Sequence, residues 1–80
     1  MSFVYILKSL KTGKYYYGST DNLKNRLILH NLGRVKSTKA FTPWDLHYSE
    51  EFENRSLARK RELFFKSIDG YCWLKEQEIT

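Results

Sequence analysis

Hydrophobic and polar positions along this 80-residue chain change their period several times, and each change marks an element. Residues 3 to 9, Phe-Val-Tyr-Ile-Leu-Lys-Ser, are an unbroken β-branched and aromatic run that predicts a buried strand. Lys11-Thr12-Gly13-Lys14 is a polar link of hairpin length, and Tyr15-Tyr16-Tyr17 returns as a second, antiparallel strand ended by Gly18. Asp21, with Thr20 as the competing choice, takes an N-cap position. Leu23, Leu27 and Ile28 follow at helical spacing, so a helix is predicted over residues 22 to 32, closed by Gly33. From Gly33 to Pro43 runs a polar loop with Arg34, Lys36 and Lys39 among small hydroxyl residues, expected to be mobile and positive. Trp44, Leu46 and Tyr48 then alternate with Asp45, His47 and Ser49, the period of two of a half-buried third strand reaching Phe52. Asn54 caps a helix over residues 55 to 67, whose apolar positions Leu57, Ala58, Phe64 and Phe65 are interrupted by Arg61 and flanked by Glu62. Asp69-Gly70 breaks that helix, and residues 71 to 78 form a short terminal one that returns Trp73 and Leu74 to the core. The order β-β-α-β-α-α describes an α+β domain, a three-stranded antiparallel sheet flanked by helices.

Composition narrows the class. A chain with 41% hydrophobic residues lies well away from disordered sequences, and its length fits one small domain over residues 1–80. The single Cys72 can form neither an internal disulfide nor a cysteine metal site, which suits a reducing compartment, with the cytoplasm as the default. The longest apolar run, Phe3 to Leu7, is far short of the ~20 residues that span a bilayer, so no membrane partner is expected. Charge is unevenly spread: residues 1–44 hold eight Lys/Arg against Asp21 alone, whereas residues 45–80 hold six against eight acids. A half-molecule so basic is either a solvated surface or the footprint of a polyanion partner.

The basic half also holds the candidate chemistry. Arg26 and His30 lie one helical turn apart, on a helix that begins just after the strand carrying Tyr16. A phenol, a guanidinium and an imidazole therefore converge without any long-range assumption. Judged singly, each residue has an ordinary reading. Tyr5 and Tyr16 suit strands, Arg26 suits a solvated helix face, His30 suits a helix end, and Glu62 can pair with Arg59 or Lys66 at the surface. Tyr5 joins the group only if it shares a sheet face with Tyr16. That requires paired residues across the hairpin to have numbers summing to an odd value.

Phe3-Val4-Tyr5, an eleven-residue step to Tyr16-Tyr17-Gly18, then Arg26, His30, and Glu62 within Ala58-Arg59-Lys60-Arg61-Glu62 together resemble the GIY-YIG nuclease family. The likeness covers roughly residues 3 to 75 and is to its short stand-alone members and to the incision-nuclease domain of bacterial excision repair. Phe3 and Val4 stand where the family name has Gly and Ile, and no asparagine follows Asn54, where longer members carry one. The resemblance implies hydrolysis of DNA phosphodiester bonds dependent on Mg²⁺ or Mn²⁺. It gives Tyr5 the part of general base, Arg26 that of phosphate clamp and Glu62 that of sole protein ligand to the metal, with water and substrate phosphate completing a shell stable only with substrate. Tyr16 and His30 assist, by bonding the water or a phosphate oxygen and by orienting a tyrosine hydroxyl or moving its proton. A free phenol of pKa ~10 is about 0.1% ionised at neutral pH, so Arg26, the metal or Lys14 is expected to stabilise the phenolate. Lys14, Arg34, Lys36 and Lys39 are the candidate DNA contacts, weak and sequence-tolerant, because no element is shaped for a groove. Two other readings stay open. One is a non-catalytic nucleic-acid-binding module with Tyr5, Tyr15 and Tyr17 stacking bases on an open sheet, and the other is a protein-interaction adaptor that keeps the fold.

Overall fold

The apolar run at the N-terminus becomes the middle strand of the sheet. In the computed structural model, which describes residues 1–80, β1 (Ser2–Ser9) lies between β2 (Tyr15–Thr20) and β3 (Trp44–Phe52), antiparallel to both. Three helices complete the chain in the expected β-β-α-β-α-α order: α1 (Leu23–Asn31), α2 (Arg55–Phe65) and α3 (Ile68–Glu76), with a 3-10 turn at Lys39–Phe41. None of the helices is long and apolar enough to cross a membrane.

Both faces of β1 are covered, which is why its sequence is apolar without alternation. Val4 and Ile6 pack against Phe65 of α2 and Leu74 of α3, while Tyr5 and Leu7 pack with Trp44, Leu23, Leu27 and Phe41 on the α1 side. Tyr15 and Tyr17 are drawn into the first cluster. An open sheet for stacking bases therefore does not exist, and the base-stacking reading of Tyr5, Tyr15 and Tyr17 is overturned.

The hairpin closes with Ser9 N–H donating to Lys14 O at 2.8 Å around Leu10–Gly13, where Gly13 takes φ +77°. Leu7 faces Tyr16 and Tyr5 faces Gly18, pairs summing to 23, so Tyr5 and Tyr16 share a face as the site requires. On the other edge the register slips. Ile6 pairs with Tyr48 but Leu7 with Leu46, so His47 is an extra residue. This bulge puts Leu46 and Trp44 on the α1 face and Tyr48 and Phe52 on the other, dividing a strand that simple alternation assigns to one face.

Several boundaries differ from the sequence expectation. Asn22, rather than Asp21, caps α1 by accepting from Asn25 N–H, while Asp21 accepts from Ser2 Oγ and pairs with Arg55. Asn54 caps α2 as expected, but the helix stops at Phe65. Asp69-Gly70 is no breaker: α3 starts at Ile68 under a Ser67 cap, and Gly70 lies in its first turn against the end of α2. Gly18 does not end β2 either, since the strand runs through it to Thr20.

Candidate active site

Tyr5 projects from the middle strand toward α1, and its ring lies across Gly18 of the edge strand. A Cβ at Gly18 would sit 2.5 Å from Tyr5 Oη and 2.6 Å from Cζ, so only glycine leaves the phenol its place. Tyr5 Oη is 2.9 Å from His30 Nε2, and His30 Nδ1 is 2.8 Å from Thr38 Oγ1. Tyr5, His30 and Thr38 are all buried. Tyr16, half-buried, sets its ring centroid 5.1 Å from that of His30 and 6.4 Å from that of Tyr5. Arg26, one turn before His30, brings its guanidinium beside the Tyr5 hydroxyl, with a buried Nε that has no hydrogen-bond partner. The phenol, guanidinium and imidazole thus meet as the spacing predicts.

Burial controls the charge of this cluster. The Tyr5 phenol is pushed above its usual pKa chiefly by desolvation, with the Arg26 guanidinium opposing and the Tyr16 and Glu62 charges reinforcing. His30 is pushed down to about 4, first by burial and then by the Arg26 charge. At neutral pH both rings are therefore neutral, and the Arg26 guanidinium by itself does not stabilise a phenolate here. Lys14 gives no help: its Nζ sits over the Phe41 ring, 4.9 Å from the centroid.

Glu62 of α2 is buried, reaches β2 through Ser19, and lies close enough to Tyr5 for its charge to bear on the phenol. Its Oε1 accepts from Ser19 Oγ at 2.6 Å, and its Oε2 accepts from Arg59 and Lys66, each at 2.7 Å. Burial works to raise its pKa, but the bonds from Lys66, Ser19 and Arg59 prevail and hold the carboxyl below the ordinary range, so it is ionised. No cluster of three His, Cys, Asp or Glu side chains surrounds it. A lone anchored carboxylate still matches the demand of Mg²⁺, which takes one or two carboxylates and fills its shell with water and phosphate. Arg59 and Lys66 are 59% and 45% exposed, so each can release Oε2 into solvent.

Arg34, Lys36 and Lys39 are exposed as expected, but the loop between α1 and β3 is pinned rather than free. Trp44 Nε1 donates to Thr38 O at 2.9 Å, and the Asn31 amide makes two bonds with the Trp44 backbone. Sequence reasoning missed the roles of Ser19, Asn31 and Thr38, whose hydroxyls and amide bond partners that no periodicity reveals.

Comparison with known proteins identifies the family. Residues 1–69 match the family model of the GIY-YIG catalytic domain. The chain is 39% identical over 67 residues to a UPF0213 protein of Bacillus licheniformis, covering 82% of this chain and 68% of that one. It is 42% identical over 69 residues to a UPF0213 protein of Clostridium perfringens (85% and 73%), and 38% identical over 82 residues to one of Listeria monocytogenes (95% and 90%). No solved structure matches.

Proposed function

The chain belongs to the GIY-YIG catalytic-domain family, a family of nucleases, and from that premise we propose that it hydrolyses DNA phosphodiester bonds with Tyr5 receiving the proton of the attacking water. The observation that carries this reading is the 2.9 Å contact of Tyr5 Oη with His30 Nε2, beside a guanidinium whose Nε lacks a partner. A resident phenolate is unnecessary in such an arrangement. As the water oxygen bonds to phosphorus and the bond to the leaving oxygen breaks, Tyr5 takes the water's proton while its own passes to His30 Nε2. The low basicity of His30 owes part to the Arg26 charge, so a phosphate held by Arg26 cancels that part and favours the imidazolium. Arg26 holds two phosphate oxygens through its planar fork, a geometry lysine lacks. Tyr16, packed on both rings, positions them and turns its hydroxyl to water or phosphate.

Glu62 is the residue that would hold Mg²⁺ or Mn²⁺, after Lys66 or Arg59 swings out. When bound, the ion supplies neutralisation of charge on the phosphate and the leaving oxygen. Arg34, Lys36 and Lys39 attract the DNA backbone with little sequence preference, and Lys14 adds to the same field. A reducing cytoplasm, where the exposed thiol of Cys72 persists, suits the chain.

The test is cleavage of supercoiled, branched, mismatched and single-stranded DNA with Mg²⁺ or Mn²⁺, alongside Arg26→Ala and Glu62→Gln. Metal-dependent nicking by the wild-type chain and by neither variant is expected. Equal nicking by all three proteins removes the reading. The three hydrogen bonds already on Glu62 favour a second reading, DNA binding without cleavage, which predicts DNA retention and intact substrate at every metal concentration.

A further inference from the structure

We propose that Thr38 is a positioning residue of the Tyr5–His30 pair, its hydroxyl fixing His30 as the Nδ1–H tautomer so that the Nε2 lone pair faces the Tyr5 hydroxyl. The inference rests on the catalytic reading of Tyr5 and His30 given above, and on a count of protons. Three hydrogen-bonding groups stand in a row, Tyr5 Oη, the His30 imidazole and Thr38 Oγ1, and all three residues are buried. At its far end Thr38 Oγ1 lies 3.3 Å from Val35 O, the carbonyl that also receives the backbone N–H groups of Thr38 and Lys39.

Two proton arrangements fit the row. In one, Thr38 donates to Val35 O, His30 Nδ1–H donates to Thr38 Oγ1, and Tyr5 donates to His30 Nε2, so every proton has an acceptor. In the other, Thr38 donates to Nδ1 and Nε2–H donates to Tyr5 Oη, which leaves the Tyr5 proton with no acceptor in the chain. Beside that oxygen stands Arg26, which can only donate. A buried donor left without a partner costs about 1–3 kcal/mol, enough to decide between tautomers. The first arrangement therefore holds, and it is the direction the proton must travel from Tyr5 to His30.

Thr38 is also fixed where this role needs it. Its carbonyl receives Trp44 Nε1 and its backbone N–H reaches Val35 O, so the hydroxyl is presented by a braced turn between the exposed cations Lys36 and Lys39. A free histidine side chain in water prefers the Nε2–H form. Without the Thr38 oxygen each form strands one donor, Nδ1–H in one and the Tyr5 hydroxyl in the other, so that intrinsic preference decides.

The experiment reads the tautomer directly, from long-range proton–nitrogen correlations of nitrogen-15-labelled full chain near neutral pH, with His47→Gln to assign the two histidines. Wild type should give a protonated Nδ1 and an unprotonated Nε2 at His30. Thr38→Val, close in shape but without the hydroxyl, should move His30 toward Nε2–H, and Thr38→Ser should restore the wild-type pattern. DNA turnover should follow the tautomer, falling about 100-fold in Thr38→Val, the lower end of the range for one acid–base group, and recovering in Thr38→Ser. An Nε2–H signal in wild type overturns the proposal, as does a turnover loss in Thr38→Val with the tautomer unchanged. The spectra need no DNA, so a chain that cleaves nothing removes the nuclease reading while they alone decide the proton arrangement.

Discussion

His30 shows how burial, more than residue type, sets the chemistry of this site. Its imidazole is buried against Tyr5, Tyr16 and Arg26, and burial first and the Arg26 charge second push its pKa down to about 4, against 6.5 for an ordinary histidine. The unfolded chain therefore binds a proton that the folded chain refuses between those values, and stability falls as the pH drops through this window. Urea denaturation should lose on the order of 1–2 kcal/mol between about pH 6.5 and pH 5. His30→Gln should flatten that slope, and an equal slope in the variant would mean that the imidazole is not the group responsible. Asp21 and Glu62 carry lowered pKa values, so their contributions are lost at more acid pH and leave this window clear. The meeting of Tyr5, Tyr16, Arg26 and His30 was legible in the sequence because it needs only a hairpin of the right parity and one helical turn. Thr38 and Ser19 were not, because their bonds to His30 and Glu62 span 8 and 43 residues and leave no periodic trace.

At the scale of elements, two glycines carried opposite meanings to those their neighbours suggested. Strand and helix order could be read from hydrophobic period alone, and so could the Asn54 cap. Glycine is ambiguous, since one residue type serves both chain reversal and close approach. Gly18 and Gly70 read as breakers, yet Gly18 makes room for the Tyr5 ring, and a Cβ at Gly70 would fall 2.8 Å from Phe65 Cα and collide with the Phe64 carbonyl. Gly13 is the true turn glycine, at φ +77° with open space around it. Gly70→Ala should therefore cost about 3 kcal/mol through overpacking of α2 against α3. Gly13→Ala should cost only about 1 kcal/mol through its left-handed backbone. Denaturation midpoints of the two variants check the order. If Gly70 were a helix breaker, alanine would instead lengthen a helix and stabilise the chain.

Across the whole molecule charge is segregated, and the proposed function assigns binding and catalysis to different basic residues. The half with eight Lys/Arg against one acid bears both the exposed loop cations and the half-buried Arg26. In that proposal the exposed loop cations would meet DNA through solvent and act by releasing counterions, a contribution that salt screens. Arg26 lies beside a buried phenol, where the proposed mechanism has its planar fork meet the phosphate best as negative charge shifts onto its oxygens. Arg26→Lys should then lower turnover by about 10²-fold, roughly 2.7 kcal/mol, while leaving DNA affinity nearly unchanged. Removing Lys36 and Lys39 should do the reverse, flattening the plot of log affinity against log salt by about 0.9 for each phosphate no longer neutralised and sparing turnover at saturating DNA. Single-turnover rates and salt titrations on one DNA substrate measure both quantities for each variant. Normal cleavage by Arg26→Lys, or a parallel fall in affinity and rate, would reduce Arg26 to one more backbone anchor and leave the division of labour without support.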